Sequence, residues 1–270
     1  VDLRALDDLL DLVLARACAV CSRPGRSVCG SCAAEVLALT IGFGGPRPVR
    51  PVPCPPSLPR CVAAAPYAGP LASLVTAHKD EGRRDVRPVL ACLLAGSIAR
   101  VLSSEPGPAP VLVVPAPGSA AARRRRCGDP LADLAAAALR LLPVDAERRP
   151  DLLPVDEGRR PDLLPVDAER RPDLLPALRH TRRVRDQAGL PAAARRENLG
   201  GAVALRRGVD VAGRTCLLVD DVVTTGATLA ECARALSAGG ATILGAATVC
   251  ATSRWMTGHV PRLSPSRPVG

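Results

Sequence analysis

Residues 214–240 read RTCLLVDDVVTTGATLAECARALSAGG, and this stretch decides the fold. Cys216-Leu217-Leu218-Val219 is an apolar run without polar alternation, the pattern of a strand buried on both faces of a parallel sheet. Two acids, Asp220 and Asp221, follow, then Val222-Val223 and the small, hydroxylated run Thr224-Thr225-Gly226-Ala227-Thr228. Beyond it Leu229, Cys232, Ala233 and Leu236 recur at helical spacing, and Gly239-Gly240 supplies the stop. The unit is a strand, a loop and a helix, with polar chemistry at the strand's carboxyl end, where open α/β sheets bind ligands.

The residue types define the ligand. Small residues at a loop–helix junction let backbone N–H groups and hydroxyls converge on one anion, helped by the helix N-terminus. The adjacent carboxylates repel such an anion, so they must face sugar hydroxyls or a divalent cation. A phosphate cradle beside an acid pair describes a ribose 5-phosphate. The lysine of the G-x-x-x-x-G-K-[ST] loop is missing, which excludes that nucleotide-hydrolase motif. The competing reading is an ordinary buried strand ending in a polar turn, which has no need for paired acids before such a loop.

Working outward, the 270 residues allow one α/β domain and a small appendage. Phe43, Tyr67 and Trp255 are the only aromatics, so the core must be aliphatic and base-stacking platforms are scarce. The net charge of +10 favours phosphate-bearing partners, whether a sugar phosphate or a nucleic acid. The beginning, VDLRALDDLLDLVL, is acidic and amphipathic rather than a secretory leader, and no apolar run reads as long enough to span a membrane. A reducing cytoplasm is the expected setting. There, clustered cysteines among the 11 point to metal binding rather than disulfides.

Cys18-x2-Cys21-x7-Cys29-x2-Cys32 is the second strong signal. Two C-x-x-C knuckles with Gly25 and Gly30 nearby can set four thiolates around a structural Zn²⁺, and four sulfurs leave no open position for catalysis. The alternative is four buried or redox thiols. Upstream, Leu3, Leu6, Leu9, Leu10, Val13 and Leu14 line one face of a predicted packing helix. Residues 42–60 read as a Gly/Pro-rich linker. Ala63–Tyr67 begins a strand and Leu71–Ala77 a helix running into His78 and Lys79, the only lysine. Lys79 reads equally as a pyrophosphate contact or a solvated charge, and His78, His180 and His259 as ordinary residues. A second apolar helix covers about 88–102.

Val111–Val114 is another buried-strand run, ending in Pro115-Ala116-Pro117-Gly118-Ser119, a tight loop able to present backbone N–H groups to a pyrophosphate. Arg123 to Arg126 follow; beside a candidate anion loop they suggest ligand contact, though four arginines also suit a solvated face. A helix is expected over 131–142. From Leu141 the chain repeats LLPVDAERRPD, LLPVDEGRRPD and LLPVDAERRPD, with LLP opening a fourth copy. Two prolines per copy preclude a regular helix or a central strand, so 141–176 is expected to be a disordered, surface-exposed insertion. The basic stretch from 178, with Gln187, Arg195, Arg196 and Asn198, leads to strands at 203–205 and 241–249. The Arg/Pro-rich residues 254–270 read as a flexible tail.

LLVDDVVTTGAT resembles the phosphoribosyl diphosphate (PRPP) signature of type I phosphoribosyltransferases. With the four-cysteine knuckle, the V-P-x-P strand end, Arg126-x-Gly128 and the Q…R-x-N stretch, the chain resembles the ComF family, bacterial competence-associated proteins with a phosphoribosyltransferase domain. It departs from that family at Cys127-Gly128-Asp129-Pro130, where Phe-Asn-Gln usually follows the glycine. The resemblance implies a type I core, a largely parallel five-stranded sheet flanked by helices over residues 61–253, with a small zinc-ribbon-like module over 1–45. It implies that Asp220 and Asp221 hold the ribose hydroxyls, directly or through Mg²⁺. The 5-phosphate falls to Val223, Thr224, Thr225, Gly226, Ala227 and Thr228. The pyrophosphate falls to Ala116, Pro117, Gly118, Ser119, Arg124, Arg125 and Arg126. Two functions follow: transfer of phosphoribosyl to an acceptor, or PRPP and single-stranded DNA binding without turnover in competence or DNA processing.

Overall fold

The computed structural model describes residues 17–52, 54–104, 110–118, 128–142, 172–181 and 201–252. The helix expected before residue 15, Ser119, the arginines at 123–126, Gln187, Arg195, Arg196, Asn198 and the tail lie outside the described residues. In chain order the elements are α1 (Gly30–Phe43), β1 (Arg47–Val49), β2 (Cys61–Pro66), α2 (Gly69–Lys79), α3 (Arg87–Ser104), β3 (Val111–Pro115) and α4 (Pro130–Arg140). There follow β4 (Asp173–Leu174), β5 (Leu178–His180), β6 (Val203–Leu205), β7 (Thr215–Val223), α5 (Ala227–Ala238) and β8 (Thr242–Ala251).

The sheet has six strands in the order β1-β2-β8-β7-β3-β4. β2, β8, β7, β3 and β4 run parallel, and β1 pairs antiparallel with β2 at one edge. The parallel part has the expected five strands. The sixth comes from the segment read as a linker, where Arg47-Pro48-Val49 needs only one hydrogen-bonding neighbour and so tolerates its proline. β5 and β6 form a separate antiparallel pair. β7 is longer than its apolar run: pairing with β8 continues through Asp220↔Thr248 to Val223↔Ala251, so both acids sit within the strand rather than in the loop after it.

The central strands are apolar on both sides because helices cover both. Leu217 and Val219 pack with Leu90, Leu94, Ile98 and Leu134 of α3 and α4. Cys216 and Leu218 pack with Leu229, Cys232 and Leu236 of α5, following the two-residue period of a strand. α3 is the most buried helix, and Ser97 Oγ donates to the carbonyl of Thr248 in β8 at 2.8 Å. The sequence reading of no apolar run long enough to cross a membrane is corrected here. Residues Arg84–Ser104 are long and apolar enough by composition, with mean hydropathy 1.5, but 78% of that window is buried in the protein. It is a core helix.

β3 leads to α4 on one face of the sheet, whereas its neighbour β7 leads to α5 on the other. Adjacent parallel strands whose following helices diverge leave a crevice at their carboxyl ends. The repeat segment also contributes to the sheet. Residues 143–171 lie outside the described residues, but Asp173 and Leu174, at the junction of the third and fourth copies, pair with β3. Leu175 N–H donates to the Val113 carbonyl at 2.9 Å. Insertion behaviour therefore does not hold for 173–175. An edge strand of two residues fits between Pro172 and Pro176, each outside the paired positions.

Candidate functional site

Thr224 to Thr228 bridge β7 and α5 at the carboxyl edge of the sheet. Gly226 is the N-cap of α5 with φ 71°, and its carbonyl starts the helix by accepting from Ala230 N–H. A side chain there would strain the backbone and meet Leu58, whose Cδ2 lies 2.7 Å from the position of a Cβ. Thr225 Oγ1 accepts from Ala227 N–H at 3.4 Å, so the loop is folded around the helix start. Beside it, Pro115 to Gly118 extend from β3, and Ala116 N–H donates to the Val219 carbonyl at 2.9 Å. The two loops expected to meet a phosphate and a pyrophosphate are thus hydrogen-bonded neighbours over residues 116–118 and 219–228.

The two acids have different surroundings. Asp221 reaches α2, where Lys79 Nζ lies 3.0 Å from both Oδ1 and Oδ2. Burial opposes the Lys79 charge, but Asp221 and then Asp220 outweigh it and hold the ammonium above its ordinary range. Asp220 Oδ1 accepts the Asp221 N–H at 2.9 Å. Burial, then the charge of Asp221, pushes the Asp220 carboxyl up from 3.8 to about 7, against the pull of Lys79. Asp220 also bears on the α5 side: after burial, its charge is the next contribution raising the Cys61 thiol to about 12, and it helps raise Cys232. One carboxylate is thus ion-paired and the other is held so high that it is part protonated near pH 7, a split that the sequence does not reveal. As arranged, a divalent cation on Asp221 would have to displace Lys79, so the acid pair does not fit a bare metal site.

Two further contacts were not foreseen. His180 Nε2 lies 2.8 Å from the Pro117 carbonyl, joining the β5–β6 pair to the loop after β3. Glu231, buried on α5, accepts from Val203 N–H at 3.3 Å and from Arg234, tying the same pair to α5. Neither has a sequence signal, because a lone histidine and a glutamate on a helix are usually solvated. For Lys79 the signal was its uniqueness.

Cys18, Cys21, Cys29 and Cys32 are brought together, with all four sulfurs within 4.8 Å of one another. The Cys21 and Cys29 sulfurs are 3.6 Å apart, against an edge of about 3.8 Å for a tetrahedron with metal–sulfur bonds of about 2.3 Å. Ser22, at φ 59°, turns the first knuckle back so that its N–H donates to the Cys18 carbonyl. The Ser31 hydroxyl, then Cys32, lower the Cys29 thiol to about 6, favouring the thiolate that a metal needs. The cluster can hold a metal ion and is compatible with a zinc module. It is latched to the rest of the chain: Arg83 Nη2 donates to the Ala17 carbonyl at 2.8 Å, and Val36 of α1 belongs to the main core.

Comparison with known proteins agrees with this geometry. The family described as "Phosphoribosyl transferase domain" matches residues 179–256. The adenine phosphoribosyltransferases of Mycobacterium sp. strains KMS and JLS are 52% identical over 42 residues. That alignment covers 16% of this chain and 24% of theirs, so the chain spans about a quarter of their length. The DNA utilization protein YhgH of Escherichia coli O157:H7 is 29% identical over 239 residues, 87% of this chain and 90% of the relative. With the sheet order and the loop after β7, these similarities show that the chain carries a phosphoribosyltransferase domain, in keeping with its resemblance to the ComF family.

Proposed function

We propose that the chain binds PRPP and transfers its phosphoribosyl group to an acceptor. The observation that carries this reading is the Thr224–Thr228 loop at the start of α5, set directly after Asp220 and Asp221 in β7. In this reading the loop N–H groups and threonine hydroxyls hold the 5-phosphate, helped by the dipole of α5. Asp221 and Asp220 accept from the ribose hydroxyls, and Lys79 holds Asp221 in place. Ala116, Pro117, Gly118 and Ser119, with Arg124, Arg125 and Arg126, take the pyrophosphate. Mg²⁺ enters bound to the donor's phosphates, whose charge it offsets as pyrophosphate departs. The protein contributes positioning and a fixed electrostatic frame for the cationic ribosyl carbon. Zn²⁺ on the four cysteines is structural, and the expected setting is the cytoplasm.

A second reading, PRPP or single-stranded DNA binding without turnover, is favoured by the "DNA utilization" name of the Escherichia coli relative and by the net charge of +10. Scarce aromatics restrict such binding to arginine–phosphate contacts, which makes it strongly salt-dependent. Calorimetry with PRPP and Mg²⁺, followed by pyrophosphate-release assays over a panel of acceptors, separates the two. Transfer requires PRPP heat and pyrophosphate release, the second reading requires salt-dependent DNA affinity without release, and neither survives a folded protein that binds nothing.

A further inference from the structure

A cavity of about 300 Å³ opens between the end of α2 and the beginnings of α3 and α4, lined by His78, Glu81, Arg84, Arg87, Gly128 and Asp133. Its place in the fold is specific. Ser97 of α3 bonds to Thr248, and Val101 packs on Gly245, so α3 descends toward the amino end of β8 and its first residue, Arg87, lies at the carboxyl edge of the sheet. His78 precedes Lys79, whose ammonium sits on Asp221. Gly128 lies on the connection from the β3 loop to α4. The cavity therefore opens at the carboxyl edge of the sheet on the α3–α4 side, one residue along α2 from the Lys79 that meets Asp221, whereas the Thr224–Thr228 loop leads to α5 on the other side.

A transferase needs two ligands on either side of one carbon. We infer that this cavity is the acceptor pocket, and that it selects a small nitrogen acceptor carrying a carboxylate rather than an uncharged nucleobase. The inference rests on the phosphoribosyl-transfer reading and deepens it. Three observations carry it. The lining contains no aromatic ring on which a base could stack. Two guanidiniums, Arg84 and Arg87, face it together with the first turns of two helices, a setting that favours an anionic group. Arg87 Nε is buried with no hydrogen-bond partner among the described residues, and Arg87 Nη2 meets Asp133 Oδ2 only at 3.5 Å. That edge of the guanidinium is the one that grips a carboxylate through two parallel bonds, and Asp133 holds it loosely.

In the step implied, the bond from the ribosyl carbon to the pyrophosphate oxygen breaks and its electron pair leaves on pyrophosphate. The acceptor nitrogen's lone pair forms the new carbon–nitrogen bond, and its proton passes to water. Glu81 is placed to accept from an N–H group of such an acceptor while its carboxylate meets Arg87 in place of Asp133.

The test uses the full chain, with orotate, nicotinate and anthranilate as carboxylated probes and adenine, hypoxanthine and uracil as uncharged ones. Calorimetry and pyrophosphate release are read in parallel. A carboxylated probe should bind and release pyrophosphate. Arg87→Gln should weaken that probe about 10- to 100-fold, as expected for a charged hydrogen bond, with PRPP affinity unchanged. Asp133→Asn, which removes the competing carboxylate, should tighten it several-fold, a gain that misfolding cannot mimic. Release with an uncharged base and none with the carboxylated set would overturn the inference while leaving phosphoribosyl transfer standing. So would probe binding indifferent to both substitutions in folded protein. Failure of PRPP to bind would remove transfer itself. The selectivity of the cavity would then be judged by carboxylate binding alone, and its absence would end the inference as well.

Discussion

Lys79 Nζ lies 3.0 Å from both carboxylate oxygens of Asp221, a residue 142 positions away in the chain. The only lysine of the protein thus comes from the end of one helix to the second acid of the central strand, with Asp221 nearly buried and Lys79 half exposed. The contact makes the acid pair unequal and sets it one residue along α2 from His78, which lines the cavity.

Asp221→Asn removes a charged acceptor while keeping its shape. PRPP binding with Mg²⁺ should weaken by roughly 1.5–3 kcal/mol, measured by calorimetry, whereas affinity for single-stranded DNA should barely change. Equal loss of both affinities would show that the acid acts through the fold and not through the sugar.

Asp220 supplies a pH signature. Its carboxyl titrates near 7 when folded and 3.8 is its ordinary value, so between those limits the folded chain keeps a proton that the unfolded chain has lost. Its contribution to stability therefore falls as pH rises from about 4 to about 7, and the cost is fully present above that window. Asp220→Asn, still able to accept the Asp221 N–H, should be stabilising relative to wild type at pH 8 and much less so at pH 4. Urea midpoints at the two values decide it, and an equal difference at both would refute the assignment.

Gly226→Ala introduces a methyl group at φ 71° against Leu58. The backbone term alone is about 1–2 kcal/mol, and Leu58 must also move. Thermal unfolding should show a drop of several degrees. The Leu58→Ala background should recover the steric part but not the conformational part, so complete recovery or none would both contradict the geometry.

Purified protein should carry about one Zn²⁺ per chain, lost on Cys29→Ser. Because α1 begins within the cluster and puts Val36 into the main core, chelation should also lower the melting temperature of the whole chain. Metal analysis beside the melting curve checks both, and stoichiometric zinc removal without any thermal effect would mean that the Arg83–Ala17 latch is weak.

Deleting residues 152–173 should change stability and PRPP binding little. The copies are near-identical, so Pro150 and Asp151 take the places of Pro172 and Asp173 and the β4 pairing with β3 is preserved. Closing a shorter surface loop adds only a small entropic change. A large fall in melting temperature would show that the deleted copies pack against the core.

The sequence by itself determined the strand–loop–helix around Asp220 and Thr228, the alternation of apolar runs with helices and the four-cysteine knuckle. Each is written in residues a few positions apart, because a buried parallel strand, an anion loop at a helix start and a C-x-x-C turn are local geometries. Tertiary structure decided what depends on the approach of distant segments. Lys79 meets Asp221 because α2 ends over β7, His180 meets Pro117 because β5 folds back over the β3 loop, and the cavity is assembled from three helix ends. Pro48 in β1 and the Pro172–Pro176 bracket of β4 argued against strands, yet each segment pairs at a sheet edge, where one side needs no partner. The protonation of Asp220 was equally out of reach, since composition names the acid but only burial and a neighbouring charge move its proton.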